Sequence, residues 1–358
     1  MNDKNYCVIM AGGIGLKLWP SSTHQKPKQF IDFLGRGETL IQSTFKRIAK
    51  FVAKENIIVT TNEQCETLVH EQLPDLPEYN LLLEPMRRNT LPSATWATVE
   101  IAQREPDARV LVVPSDQMIY DEDLFQQEVM SAFDYVANYD RILSLGVFPS
   151  RAETNYGYVQ MGDAVYNGFC HVKSFTEKPE LEFAKLFVDN REFLWNTGMF
   201  LWSTNTFKNE ANKLKAQLPM IDKAEDLLKN GIELDDIVKR AFSMCPNVSI
   251  EQVCLDKHDN TDVMLCHFGW TDLGTWQTLF DMAEKTDANA VIQGKAMLYD
   301  CKDCIVKVPD GKVVVVKGLE NYVVAEENNV LVICRKDDPA AIRRFVNDLQ
   351  ISLGDHYV

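Results

Sequence analysis

Apolar, β-branched runs alternate with amphipathic stretches through the first two thirds of the chain. The runs that predict strands are Cys7–Met10, Ile57–Thr60, Asn80–Leu83, Arg109–Val113 and Ile142–Val147. Thr39–Val52 predicts a helix, because its apolar residues recur at helical spacing. This alternation predicts an α/β domain with a mainly parallel sheet that is flanked by helices on both faces. Ligands of such domains collect beyond the carboxyl ends of the strands.

The pattern changes near Ala290 to short β-rich segments that are separated by turn residues. Those segments are Ile305–Val308, Lys312–Val316, Tyr322–Val324 and Val330–Ile333. An amphipathic stretch, Pro339–Leu349, then predicts a closing helix. We therefore expect two domains: a larger one over residues 1–287 and a smaller, β-rich one over residues 288–358.

Composition and charge narrow the possible functions. The chain has 358 residues, of which 46% are hydrophobic and 25% charged, as in globular proteins. A net charge of −15 argues against binding nucleic acid or an anionic membrane over a broad face. An anionic substrate therefore needs a local basic site or a metal ion.

Cysteine usage and the absence of long apolar runs predict a cytoplasmic protein. The nine cysteines are an odd number and several lie in apolar runs, which is typical of buried, reduced thiols. The first residues lack the pattern of a signal peptide, and no segment offers 18 uninterrupted apolar residues. We expect neither export nor membrane spanning.

A glycine-rich turn follows the first strand. Gly12, Gly13 and Gly15 would let backbone N–H groups approach a phosphate closely, and Lys28 adds a cation shortly afterwards. The turn is neither a dinucleotide fingerprint, since Leu18 stands where the third glycine would be, nor a Walker A loop. On these residues alone, a structural turn beside solvated lysines explains the pattern equally well.

Seven motifs, in order along the chain, make a family recognisable. They are Gly12-Gly13-x-Gly15 with Leu18-Trp19-Pro20 and Pro27-Lys28-Gln29-Phe30, Glu84-Pro85-x-x-Arg88-Asn89-Thr90, Val113-Pro114-Ser115-Asp116, Tyr156-Gly157-Tyr158, Phe175-Thr176-Glu177-Lys178-Pro179, Trp195-Asn196-Thr197-Gly198-Met199-Phe200, and Gly269–Trp276. Together they resemble the mannose-1-phosphate guanylyltransferases. The resemblance implies a Rossmann-like α/β domain with a smaller, partial β-helix-like C-terminal domain.

The resemblance also implies the reaction. A mannose 1-phosphate oxygen would attack the α-phosphorus of GTP, giving GDP-mannose and pyrophosphate with the help of Mg²⁺ or another divalent cation. Asp116 and Asp272 correspond to the metal-binding carboxylates of the family. As an alternative, each aspartate would only cap a following helix.

The remaining site residues fall into two groups. On the nucleotide side, Gly12, Gly13 and Gly15 would hold phosphate, Lys17 and Lys28 would neutralise the departing pyrophosphate, and Glu84, Asn89 and Ser115 would lie near the nucleoside. On the sugar-phosphate side, the candidates are Gly157, Glu177, Lys178 and Asn196. Structural alternatives are a plain strand end at Glu84-Pro85 and an ordinary helix entrance at Glu177-Lys178-Pro179.

Two departures from the family pattern leave other functions open. Lys17 and Thr23 stand where the family normally has arginines, so two planar phosphate-binding forks are missing. A nucleotidyltransferase for another sugar 1-phosphate and nucleotide, or a regulatory homologue with weak catalysis, therefore remains an alternative. The family's β-rich tail further implies a possible homodimer.

Overall fold

The computed structural model describes residues 3–166, 168–213, 238, 241–255 and 260–358. The strands of the larger part are β1 (Asn5–Met10), β2 (Ile57–Asn62), β3 (Leu81–Glu84), β4 (Arg109–Pro114), β5 (Gln117–Ile119), β6 (Ile142–Val147), β7 (Tyr158–Tyr166), β8 (Phe169–Thr176), β9 (Phe193–Ser203), β10 (Thr261–Cys266) and β11 (Trp270–Asp272). Nine of them form one sheet in the order β3-β2-β1-β4-β9-β6-β10-β8-β7, and β5 pairs with β11.

The helices pack on both faces of this sheet. They are α1 (Leu40–Ile48), α2 (Glu66–Gln72), α3 (Thr90–Arg104), α4 (Glu122–Asn138), α5 (Leu181–Asp189), α6 (Thr204–Lys213), α7 (Ile250–Cys254) and α8 (Trp276–Met282). Alternate residues of β1 face opposite ways: Cys7 and Ile9 lie in a cluster with residues of α1 and α4, whereas Val8 lies in one with residues of α3. This alternation confirms the α/β fold with helices on each face.

The sheet contains a four-stranded parallel block, and beyond it β6 and β10 also pair in parallel. Strands β1, β2, β3 and β4 pair in parallel, as the sequence predicts. Strand β9 is antiparallel to β4 and β6, and β8 is antiparallel to β7 and β10. The sheet is mixed in part because β9 inserts between β4 and β6 in the antiparallel direction. The direction of a strand in its sheet cannot be seen from the strand's own sequence.

The C-terminal part is strand-rich. Its elements are β12 (Ala290–Gln293), β13 (Lys295–Tyr299), β14 (Ile305–Lys307), β15 (Val313–Lys317), β16 (Tyr322–Glu327), β17 (Val330–Arg335) and α9 (Pro339–Leu353). Strands β12, β14 and β16 pair in parallel, as do β13 and β15, so successive turns of chain stack as in a β-helix. The sequence pattern missed β12 and β13, in which only Ala290 is fully buried.

This C-terminal part packs directly on the segment after the glycine turn. Leu18 and Trp19 share a buried cluster with Ile342 and Val346 of α9. The Trp19 indole N–H also donates to the Tyr357 carbonyl at 2.8 Å. The end of the chain therefore helps to hold the loop that begins at Gly12.

Two further observations concern membrane-spanning helices and the cysteines. Within the described ranges, no helix is long and apolar enough to cross a membrane. All nine cysteines carry free thiols.

Candidate active site

A cavity of about 340 Å³ opens where the parallel strands end. The β1–β4 register pairs Met10 with Pro114, so the glycine turn and Asp116 emerge side by side, and β3 ends nearby at Glu84. The predicted residues that line the cavity are Gly12, Gly13, Glu84, Asn89 and Asp116. Its volume is within the range of small-molecule sites, and its position is the one expected for a parallel sheet.

The glycine turn is shaped by its contact with Lys28. Gly15 has a φ of 77°, and a Cβ there would lie 2.6 Å from Lys28 Cγ. Any other residue would be strained and would also displace the lysine stem. Gly12 lies against Glu84, whose Oε2 would be 3.5 Å from an added Cβ. Gly15 therefore gives room to Lys28, whereas at Gly12 an added Cβ would only touch Glu84.

Lys28 lies between two carboxylates from distant parts of the chain. Its Nζ is 2.7 Å from Asp116 Oδ2 and 3.4 Å from Asp272 Oδ1, and it also donates to the Leu273 carbonyl. Burial lowers the pKa of the Lys28 ammonium, but the two aspartates outweigh this and hold the pKa above its usual value. Lys28 is therefore a charged ammonium group in a tight triad.

The pairing of β5 with β11 brings the two aspartates together, because it sets Gln117 opposite Asp272. Neither aspartate caps a helix: Asp116 is followed by β5, and the cap of α8 is Thr275. The alternative interpretation as helix caps is therefore wrong. Two carboxylates that converge on one cation form a donor set that also suits a divalent cation.

Glu84 is buried, whereas Asn89 is exposed and Ser115 does not line the cavity. Glu84 is 5% exposed, and burial raises the pKa of its carboxyl group to about 7. Asn89 has a φ of 66°, and its side chain accepts from the Thr90 amide. Ser115 is buried, and its carbonyl accepts from Thr44. Glu84 is thus the best placed of the three to meet a buried ligand.

Lys17 lies where several cations converge. Its ammonium group donates to Asn155 Oδ1 at 2.8 Å. Burial lowers the pKa of Lys17, and Arg343, Lys178 and Lys28 act in the same direction, while Asp272 opposes them. Mutual repulsion of this kind is relieved by a bound anion.

The sugar-phosphate candidates Gly157 and Asn196 are joined through the backbone. The Asn196 amide donates to the Gly157 carbonyl at 2.9 Å, and a Cβ on Gly157 would lie 2.7 Å from a Phe175 ring carbon. Asn196 Nδ2 donates to Glu251 Oε1 at 3.3 Å. Because Glu251 lines the cavity, this contact connects the two groups of candidates.

Glu177 and Lys178 lie in the open. Their side chains are 48% and 56% exposed and form an ion pair with each other. Lys178 has a φ of 44°, a conformation that is rare for a residue with a side chain. The run does lead into a helix, as the alternative interpretation predicts, but Pro179 precedes the N-cap Glu180 of α5 instead of lying in its first turn.

Three side chains near the site were not among the predicted site residues. Asn155 accepts a hydrogen bond from Lys17, and Glu251 accepts one from Asn196. Arg343, on α9, helps to lower the pKa of Lys17. Glu251 follows Ser249-Ile250 at the start of α7, and the structure adds that it lines the cavity. Arg343 carried no sequence signal, because it is one of two adjacent arginines on a surface helix.

Comparison with known proteins gives one consistent result. A family model for nucleotidyl transferases matches residues 6–289. The mannose-1-phosphate guanylyltransferase RfbM of Salmonella typhimurium is 31% identical over 98% of this chain and 73% of its own length. The alginate biosynthesis protein AlgA of Pseudomonas aeruginosa is 33% identical over 96% of this chain and 71% of its own length.

A solved structure supports the same assignment. It comes from Thermus thermophilus, is described as a mannose-1-phosphate geranyltransferase, and aligns with a TM-score of 0.84 at 28% identity. The alignment covers 97% of this chain and 99% of that one. The chain therefore belongs to the nucleotidyl transferase family, in its mannose-1-phosphate guanylyltransferase branch.

Proposed function

We propose that the protein transfers GMP from GTP to mannose 1-phosphate and releases pyrophosphate. The observation that carries this proposal is the triad of Lys28, Asp116 and Asp272 at the edge of a cavity lined by Gly12 and Gly13. Phosphoryl transfer requires charge neutralisation and alignment more than covalent chemistry, and a triad of this kind supplies both.

The two aspartates fit a divalent cation, of which Mg²⁺ is our choice, because its preferred ligands are one or two carboxylates with phosphate oxygens and water. Bound there, the cation would neutralise negative charge on the phosphate oxygens. Our support is geometric: Asp116 and Asp272 already share one cationic partner in Lys28.

The transfer step needs one bond to form, one bond to break, and the charge of the leaving group to be stabilised. A phosphate oxygen of mannose 1-phosphate forms a bond to the α-phosphorus of GTP, and the bond from that phosphorus to the β-phosphate oxygen breaks. Pyrophosphate leaves with the electron pair of that bond. Lys28 and Lys17 stabilise its charge, and the backbone of the glycine turn holds the phosphates in line.

Glu84 and the sugar-side residues provide selectivity in this proposal. Guanine presents N1–H and N2–H₂ donors together, and the buried Glu84 carboxylate accepts from both. Asn196 and Glu251 accept from sugar hydroxyls, while the exposed Glu177 and Lys178 meet the sugar phosphate from the solvent side. A site built around the guanine donors leaves its acceptor unpaired with any other base.

The decisive experiment measures pyrophosphate release with GTP, mannose 1-phosphate and Mg²⁺. We expect GTP to exceed ATP, UTP and dTTP by ~10²-fold or more in kcat/KM. Comparable rates with dTTP and glucose 1-phosphate would move the protein to another substrate pair. Tight GDP-mannose binding without turnover would instead identify a regulatory homologue.

Three wider expectations belong to the same proposal. We place the domain boundary between residues 287 and 288, and the separate C-terminal sheet that begins at Ala290 supports it. A cytoplasmic location is supported by the nine free thiols. A homodimer stays a prediction, which sedimentation of the full chain would test.

A further inference from the structure

The C-terminal helix α9 carries two adjacent arginines with different surroundings. Arg344 lies over the ring of Phe345, with its guanidinium carbon 5.9 Å from the ring centroid. Arg343 follows Ile342, which is 1% exposed and packs in the cluster that contains Leu18. Arg343 is therefore anchored next to the segment that bears Lys17.

Arg343 and Lys17 are close enough to repel each other. Burial lowers the pKa of the Lys17 ammonium group, and the positive charge of Arg343 lowers it further, more than Lys178 or Lys28 does. Within the part of the chain that the structure describes, neither a hydrogen bond nor an ion pair holds the Arg343 guanidinium. The Arg343 side chain is exposed, so its guanidinium is available to an anionic ligand.

We infer that Arg343 binds the two terminal phosphates of the nucleotide, so that the C-terminal domain contributes a side chain to the active site. This inference rests on the proposed function. Lys17 keeps the charge of the arginine that the family normally has there but loses its planar fork. Arg343 restores a guanidinium to the same place from a different domain, and a polyanion bridges the two repelling cations.

The packing of α9 gives this arrangement its precision. Ile342 and Val346 are each 1% exposed, and Trp19 holds the chain end through the Tyr357 carbonyl. Arg343 is thus positioned by a buried helix face, although its own side chain is exposed. The helix and the phosphate loop are packed against each other through one buried cluster.

The test compares Arg343→Ala with Arg344→Ala, which removes the same charge one residue further along. Three quantities are measured for both variants and the parent: KM for GTP, inhibition by inorganic pyrophosphate, and inhibition by GMP, which lacks the terminal phosphates. We expect Arg343→Ala to raise KM for GTP and to weaken inhibition by pyrophosphate, each roughly tenfold, in line with the loss of one exposed charged contact. GMP inhibition and KM for mannose 1-phosphate should stay within about twofold of the parent.

A second variant separates geometry from charge. Arg343→Lys should recover part of the pyrophosphate affinity, whereas Arg344→Ala should match the parent throughout. Equal behaviour of the two alanine variants would overturn the inference. So would an equal loss of GMP and pyrophosphate affinity in Arg343→Ala together with a lowered melting temperature, since that pattern indicates a structural role.

Failure of the proposed function would look different. A parent that releases no pyrophosphate from GTP and mannose 1-phosphate would contradict the function. Direct calorimetric titration with inorganic pyrophosphate would still compare Arg343→Ala with Arg344→Ala in that case. Weaker binding by the first variant alone would support a phosphate-binding role for Arg343, and equal binding would exclude it.

Discussion

Lys28 and Lys178 are two motif lysines in contrasting surroundings. The Lys28 side chain is 10% exposed and lies between carboxylates of two distant segments, whereas the Lys178 side chain is 56% exposed and pairs with its chain neighbour Glu177. The nucleotide half of the site is therefore held together by the tertiary structure before any ligand binds. In the sugar half, Gly157 and Asn196 are joined through the backbone, but Glu177 and Lys178 form a surface pair that water and salt can separate.

The largest effect is expected from the carboxylates of the nucleotide half. Asp116→Asn and Asp272→Asn should each lower turnover ~10²-fold or more, because each removes a charged ligand from the site of developing charge. The measurement is pyrophosphate release at saturating Mg²⁺. Glu63→Gln, which neutralises an exposed carboxylate near α2, is the control and should leave the rate unchanged. Near-full activity of either aspartate variant would remove that residue from the proposed metal site.

Lys17 should give the next largest effect. Lys17→Ala removes a half-buried cation and should lower kcat/KM for GTP on the order of 10²-fold, whereas Lys17→Arg should change it by roughly tenfold or less. Lys26→Ala serves as the control, because that lysine is exposed in the same segment. An alanine variant that matches the parent would show that Lys28 and the glycine backbone hold the phosphates without Lys17.

Stability sharpens the comparison between the two lysines. Lys28→Met leaves Asp116 and Asp272 facing each other without their shared cation, so the free energy of unfolding should fall by about 2 kcal/mol, between the values for exposed and fully buried pairs. Lys178→Met should change it by less than about 0.5 kcal/mol. Urea denaturation of both variants measures the difference. Equal stability losses would contradict the view that only the nucleotide half is preformed.

The smallest effect is a pH dependence of nucleotide binding. The pKa of Glu84 is about 7, and a protonated carboxyl group cannot accept from both guanine donors. Ionisation is nearly complete at pH 8 and slight at pH 6, so KM for GTP should rise about tenfold between them as the pH falls. Glu84→Gln removes the titrating group, and its KM profile should show only the titration of the nucleotide. Parallel profiles for the parent and this variant would exclude Glu84 from base recognition.

Much of this architecture was predictable because its signals are local. The runs at Cys7–Met10 and Arg109–Val113 were identified as strands since β-branched residues repeat over whole segments, and the structure extends each by only one or two residues. Helix α1 was equally clear at its start, with Thr39 at its cap, but it ends at Ile48, before the predicted end at Val52. Elements with exposed or weakly patterned side chains, such as β12 and β13, were not distinguishable from turns.

By itself, the sequence determined the fold class, the order of the motifs and the residue types of the site, because periodicity, glycines and short motifs are written in neighbouring residues. Only the tertiary structure decided which charges face one another. Lys28 contacts Asp116 and Asp272 because β5 pairs with β11, and the helix that bears Arg343 lies beside the segment of Lys17 because Ile342 and Leu18 share a buried cluster. Such contacts join segments that are far apart in the sequence, and the packing that creates them leaves no periodic trace in either segment.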